Sequence, residues 1–370
     1  MMQSTDNDFS RLELDREALL SNYHHFRSKL HPETKLLVLV KANAYGHGAV
    51  EFASMVRDAG ADYLAVAYPV EGVELRKGGI MTPTMVLTTG TDFFQDIVDY
   101  QLEPGIPNLQ TLMALCEVLK AKRKKRYPIH IKLDTGMHRL GFVEGELDQL
   151  KAFLDTCPLV QVKSIYSHLA AADEPAEDAF TLGQIRAFQQ MADGLSESLG
   201  YRPMYHILNS AGIERFSEYQ FDMVRLGIGI YGVSPVAGVS LSPVASFKCK
   251  VLQIKTLSAE DGTIGYGRHG VIAPEGTVIA TIPVGYADGL DRHLSCGKAR
   301  FLLNGHLVPT IGNICMDMCM LDITGVEAKV GDTVTIFGEN PSVCELADIL
   351  GTIPYEILTS VPRRIRRMVK

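Results

Sequence analysis

In the segment KLLVLVKANAYGHG, Lys41 directly follows five apolar residues, 36–40. An amine at the C-terminal end of a buried strand is poorly solvated, which lowers its pKa and makes it a usable Schiff-base nucleophile. The same position also suits a lysine that snorkels out to solvent. Tyr45, Gly46 and Gly48 then form a tight loop able to approach an anion. Ser210, in NSAG, suits an anion contact or an N-cap before AGIERF; the two are compatible, because a helix N-terminus attracts anions. Tyr266, in TIGYGRHG, would act as a base only beside positive charge, since a free phenol titrates near ~10. Flanked by glycines, it also fits a packed turn aromatic. His168, taken alone, reads as a satisfied core histidine.

The elements that must carry these groups are legible from apolar periodicity. Runs at 36–40, 63–67, 85–88, 102–106, 129–133, 162–167, 204–208 and 223–230 are apolar without alternation, as strands covered on both faces should be. Between them lie stretches with apolar residues three or four apart, such as Leu109, Leu112, Met113, Leu115, Cys116 and Leu119. Eight strand-then-helix units predict an α/β fold, a (β/α)8 TIM barrel, with a doubly wound open sheet as the rival. In a barrel the C-terminal ends of these strands would share one mouth, where catalytic groups should sit. From about residue 241 the texture changes to strands at 247–257, 277–283, 299–303 and 333–337, with a hairpin signal at Asn304-Gly305. The reading is a barrel over 1–240 and a β-rich domain over 241–370.

Composition removes several function classes. The formal net charge of −7 argues against nucleic acid or an anionic membrane as the partner. KRKKR at 122–126 reads as the basic end of a helix, and RRIRR at 363–367 as a surface strand or a partner contact. The seven cysteines are odd in number and lack a C-x-x-C pair, which points to reduced thiols rather than disulfides, and to no metal site. The polar opening MMQSTDNDFS has no apolar leader, and no run approaches the ~20 apolar residues of a membrane span. A cytoplasmic location is the expectation.

VKANAYGHG resembles the lysine motif of the alanine racemases, a pyridoxal 5'-phosphate family. The likeness continues in order through LDTGMHRLG, SHLAAAD, NSAG, VRLGIGIYG, GYGR, GYADG, ICMDM and PYE. It implies that Lys41 holds the cofactor, with its phosphate met by Tyr45, Tyr355, Ser210 and the backbone N–H groups of Gly227 and Ile228. It sets Arg225 against the pyridine nitrogen and His168 beside Arg225. A guanidinium can only donate, so the ring stays unprotonated and is a weaker electron sink, which discourages transamination. Lys41 and Tyr266 would be the two bases on opposite faces of the α-carbon.

The same resemblance gives Arg139 and Met316 to the substrate carboxylate, and Tyr286, Cys315 and Asp317 to the entrance. Lys132 falls at a position often carbamylated in relatives. Because the family's β domain completes the other subunit's site, a head-to-tail homodimer is implied. D-alanine for peptidoglycan would be the product. Departures are His138 where relatives commonly carry glycine, Met318 in place of a common glutamine, and a shorter tail. The rivals are a broader amino-acid racemase, a barrel-type decarboxylase, which would set a carboxylate rather than Arg225 against the ring nitrogen, and a non-catalytic cofactor-binding protein.

Overall fold

The computed structural model describes residues 9–370; residues 1–8, part of the polar opening read as lacking a leader, lie outside that range. Eight parallel strands form one sheet: Lys35–Leu39, Tyr63–Val66, Thr84–Val86, Glu103–Ile106, Tyr127–Lys132, Val160–Tyr166, Met204–His206 and Met223–Leu226. The first seven pair in sequence order, and the eighth lies beside the first, with Leu37 opposite Arg225. An open doubly wound sheet would not join first strand to last, so the barrel reading holds. The seam between the seventh and eighth strands is closed by Asp222 N–H donating to Tyr205 O and Arg225 N–H to Leu208 O.

The strands are buried on both faces, as their unbroken apolar runs require: Tyr63–Val66 and Met223–Leu226 show no exposed position. The last run ends earlier than its hydropathy suggests. After Leu226 the apolar residues 228–231 turn into a 3-10 helix, Ile228–Tyr231. The outer helices bury one stripe. In Leu109–Ala121, Leu112, Leu115, Cys116 and Leu119 face inward, and Asn108 caps the first turn by accepting from Thr111 N–H. Met113, read as part of that stripe, is 54% exposed. The basic cluster at 122–126 follows this helix's end, as expected. Among the described residues, no helix is long and apolar enough to cross a membrane.

The second half is mostly β. A six-stranded sheet runs in the order His306–Pro309, Arg300–Leu303, Thr333–Phe337, Ala245–Lys250, Ser10–Leu14 and Arg366–Val369. A three-stranded sheet joins Gln253–Leu257, Thr277–Ile282 and Cys319–Asp322. The single strand expected over 247–257 is two strands in different sheets. The chain crosses over at Val251, whose N–H donates to Asp332 O, and Leu252, whose N–H donates to Thr281 O. The hairpin turns at Asn304-Gly305 as anticipated. Ser10–Leu14 belongs to this sheet rather than to the barrel, antiparallel to Ala245–Lys250 and parallel to Arg366–Val369.

The C-terminal segment also reaches the barrel mouth. Arg367 donates to Gly46 O from Nε and Nη2, at 3.0 and 2.6 Å, and also to the carbonyls of Val361, Pro362 and Ile365. A Cβ on Gly46 would lie 2.0 Å from Leu358 O, so the loop after Lys41 and the helix Pro354–Ser360 meet backbone to backbone. The RRIRR cluster is thus both a strand and an internal strap. Arg367→Met should lower the unfolding free energy by about 3 kcal/mol, since several carbonyls lose their donor together. Urea denaturation of both proteins checks this.

Candidate functional site

Lys41 follows the first barrel strand and opens an unusual turn. Ala42, Asn43, Ala44 and Tyr45 have φ of 52°, 55°, 51° and 47°, four consecutive left-handed residues of which none is glycine. Each costs about 1–2 kcal/mol for an L-residue. Side-chain hydrogen bonds hold the turn. Glu71 accepts from Ala42 N–H at 2.6 Å and from the N–H groups of Ala67 and Tyr68, and Asn43 Oδ1 accepts from Ala49 N–H. The result turns Tyr45 inward, buried against Tyr231 at 4.6 Å and Tyr355 at 5.7 Å between ring centroids.

A cavity of about 670 Å³ opens over these residues, within the usual size for a small-molecule site. Its lining includes four cations, Lys41, Lys132, Arg139 and Arg225; among the described residues the one carboxylate in the lining is Asp173. Such a site suits a ligand with more than one negative charge. Burial and the nearby Arg139 lower the Lys41 pKa, opposed by Glu71. Lys132 falls to about 8 through burial and then Arg139 and Arg225.

The residues expected to meet a phosphate come together. A Cβ on Gly227 would lie 3.4 Å from the Tyr45 hydroxyl and 3.7 Å from Ser210 Oγ, so any side chain there would fill the space between them. Two expectations need correction. The cap of helix Ser210–Arg215 is Asn209, whose side chain accepts from Gly212 N–H, and Ser210 is the first helical residue. Gly227 N–H donates to Ser210 Oγ at 2.9 Å instead of facing the cavity. That leaves the hydroxyls of Ser210, Tyr45 and Tyr355, with the first-turn N–H of Ile228, as donors.

Arg225 is 3% exposed and, among the described residues, has no carboxylate beside it. Its Nη atoms donate to the carbonyls of Ser167, His206 and Ile207 at 2.6, 3.2 and 3.0 Å, and meet Nδ1 of His206 at 2.9 Å and of His168 at 3.1 Å. Burial pulls its pKa down to about 10, still charged at neutral pH. A guanidinium cannot accept, so both imidazoles must present a bare Nδ1 and carry their proton on Nε2. Burial and the Arg225 charge agree, holding both histidines well below the usual imidazole range. Among the described residues no hydrogen bond uses Arg225 Nε, which is free to donate into the cavity.

His206 was not singled out from the sequence, nor was the chain of groups behind it. His206 Nε2–H donates to Ser164 Oγ at 2.8 Å, whose hydroxyl donates to His130 Nδ1 at 2.6 Å. His130 Nε2–H donates to Glu103 Oε2 at 2.9 Å, and Lys163 donates to Glu103 Oε1 at 2.8 Å. Burial raises the Glu103 carboxyl, but His130 and Lys163 more than reverse it, so it stays ionised. Every donor in the sequence Arg225, His206, Ser164, His130, Glu103 points the same way, from a buried cation to a buried anion. The signal was present as polar residues inside apolar strands, in YPIHIK, VQVKSIY and MYH.

The remaining expected residues lie elsewhere. Tyr266 is 72% exposed and does not line the cavity of its own chain. It stands with Tyr286, Cys315, Met316 and Asp317 on the second half. Asn313 donates to Tyr266 O, Tyr286 N–H to Cys315 O, Ala287 N–H to Met316 O, and Arg364 to Asp317. In the same motif Cys319 is buried in a sheet strand, the structural role open to it. His138 keeps φ of 52° beside Asp134, a left-handed conformation that glycine adopts without strain.

Two outcomes follow. Ser164→Ala strands one donor and one acceptor between two buried imidazoles, so stability should fall by about 2 kcal/mol in urea denaturation; an unchanged midpoint would mean the chain of bonds is not continuous. Lys132 is charged below about 8 and neutral above it. Binding of a small carboxylate such as propionate should therefore weaken roughly fivefold, about 1 kcal/mol, from pH 7 to 9. Isothermal titration reads this, and Lys132→Gln should flatten the profile.

Comparison with known proteins places this arrangement. Residues 14–235 match the family model described as alanine racemase, N-terminal domain, and residues 244–369 the one described as alanine racemase, C-terminal domain. The alanine racemase of Clostridium kluyveri is 37% identical over 96% of this chain and 93% of its own length. That of Synechocystis is 36% identical over 97% and 98%. Among solved structures, alanine racemase of Clostridium difficile 630 superposes with a TM-score of 0.92 at 33% identity, covering 98% of this chain and 96% of that one. The enzyme from E. faecalis gives 0.89 at 30%, covering 99% of each. A cation-lined cavity at the mouth of an eight-stranded barrel, followed by a β domain and matched along nearly the whole chain, identifies it as a member of the alanine racemase family.

Proposed function

We propose that the chain interconverts L- and D-alanine with pyridoxal phosphate, using Lys41 and the Tyr266 of a second copy as proton-transfer groups on opposite faces of the α-carbon. The observation that carries this reading is the convergence of Lys41, Arg225 and the Tyr45–Ser210–Gly227 cradle in one cavity. The cofactor's demands match that donor set. Lys41 supplies the amine; the hydroxyls of Tyr45, Tyr355 and Ser210 and the Ile228 N–H suit a phosphate; and Arg225 Nε suits the ring nitrogen. Pyridoxal phosphate, when bound, supplies an electron-withdrawing ring that acidifies the substrate's α C–H.

The protein's own groups do the rest. The planar fork of Arg139 and the backbone N–H of Met316 hold the substrate carboxylate. Lys41, with its lowered pKa, takes or returns a proton on one face. Tyr266 serves the other face. His168 carries its proton on Nε2, so it offers a donor and Arg225 a charge, the environment a phenolate requires. Tyr286, Cys315 and Asp317 narrow the entrance, with Asp317 fixed by Arg364 at 2.8 Å.

Tyr266 does not line the Lys41 cavity of its own chain, and its exposure supports a homodimer in which residues 241–370 of each copy complete the cavity in residues 1–240 of the other. A cytoplasmic enzyme supplying D-alanine for peptidoglycan is the physiological reading. The absence of a carboxylate beside Arg225 favours a racemase over a barrel-type decarboxylase. The decisive experiment mixes subunits. Lys41→Ala and Tyr266→Phe should each be nearly inactive toward alanine, whereas equal amounts unfolded and refolded together should regain about one quarter of wild-type activity, because half the dimers are mixed and each has one intact site. No recovery on mixing would overturn the shared site; full activity of either variant alone would overturn the two-base reading.

A further inference from the structure

Two cysteine sulfurs meet on the barrel's outer shell. Cys116, on the helix Leu109–Ala121, and Cys157, in the non-helical segment after Leu147–Asp155, place their sulfurs 3.4 Å apart although 41 residues separate them in sequence. A groove of about 390 Å³ opens over the pair, with Met113, Glu117, Lys120 and Phe153 among its walls. Cys249 and Cys319, by contrast, are sealed in the second half, and Cys296 and Cys344 are exposed. The 116–157 pair therefore combines two thiols in contact with a path for a small reagent.

The two sulfurs are not equivalent. Burial, and then the neighbouring Cys157, push the Cys116 thiol up to about 12, while Cys157 is only half-buried. Attack on an incoming reagent thus begins at Cys157, and Cys116 waits behind it. An intramolecular second step from a sulfur already in contact outruns any second encounter with a reagent in solution. Closing from 3.4 Å to a bond of ~2.05 Å requires one sulfur to move by about an ångström and a half, and Cys157 lies outside any helix that would resist this.

We propose that Cys116 and Cys157 form a dithiol site that reduces small-molecule disulfides of the glutathione type and is itself converted to an intrachain disulfide. The Cys157 thiolate attacks one sulfur of the reagent, its S–S bond breaks, and the departing thiolate takes up the proton lost by Cys157. The Cys116 sulfur then attacks Cys157, breaks the mixed disulfide and releases a second thiol. Two protein thiols are oxidised, one small disulfide is reduced to two thiols, and no other reactant is needed. Neither cysteine lines the Lys41 cavity, so alanine racemisation should stay within about twofold across the conversion.

The test uses full-length reduced protein carrying Cys296→Ser and Cys344→Ser, which remove the exposed thiols, treated with oxidised glutathione. Intact mass should show loss of two hydrogens without a retained glutathione, and tryptic mapping should show the peptides of 116 and 157 linked. Adding Cys116→Ser should arrest the reaction as a glutathione adduct on Cys157; adding Cys157→Ser should slow all modification of Cys116 by at least about tenfold. A retained adduct on Cys116 or Cys157 in the protein that keeps both thiols, linkage of either to a different cysteine, or no reaction of the pair under conditions that modify Cys344 in the unsubstituted chain would each overturn the proposal.

Discussion

A buried guanidinium that touches no carboxylate among the described residues sets the terms for the rest of the barrel. Taking an ion out of water costs several kcal/mol even after relaxation, and Arg225 recovers this from carbonyls and imidazoles alone. Those carbonyls belong to Ser167, His206 and Ile207, at the C-terminal ends of neighbouring strands, where ladder hydrogen bonding runs out. Its own strand is the last of the barrel, and the seam beside it is closed by few backbone bonds. The side chain therefore sutures the sheet at its weakest point while presenting a charge to the cavity.

That single donor-only group also dictates protonation far below it. Because Arg225 cannot accept, His206 must donate from Nε2, Ser164 must pass the direction on, and His130 must donate to Glu103. The alignment gives the cation a distant counter-charge and leaves its cavity-facing side clear of a carboxylate among the described residues. A carboxylate in direct contact would neutralise the field that the cavity directs at its ligand. A remote one, reached through polarised bonds, stabilises the fold and leaves most of that field in place.

Much of this was legible in the sequence, for physical reasons that differ by residue. The eight strands announced themselves because strands buried on both faces leave no polar alternation to confuse with a helix. Lys41, Arg225, Ser210 and Tyr45 were legible through family motifs, and the cavity does unite them. The relay was not, because His130, Ser164 and His206 are single polar residues in apolar runs, and only the barrel's closure turns them toward one another. The left-handed turn was hidden too. Ala42, Asn43, Ala44 and Tyr45 carry no glycine signal, and their conformation is imposed by Glu71 and Arg367 from distant parts of the chain. Ser10–Leu14 was assigned to the barrel by position alone, whereas its partners lie more than two hundred residues away.

The strain after Lys41 explains why the two halves cannot be considered separately. Four left-handed residues would relax if nothing held them, and part of what holds them is the C-terminal half: Arg367 on Gly46 O, the Leu358 carbonyl against Gly46, and Tyr355 against Tyr45. The second half of a chain thus positions the lysine of its own barrel while turning Tyr266 away from it, toward solvent. A strained turn beside the lysine and an exposed tyrosine on the β domain fit the homodimer proposed above, in which another barrel receives that tyrosine. On this argument the β domain is bifunctional. It packs against the Lys41 cavity of its own chain and, in the proposed homodimer, would supply Tyr266 to another.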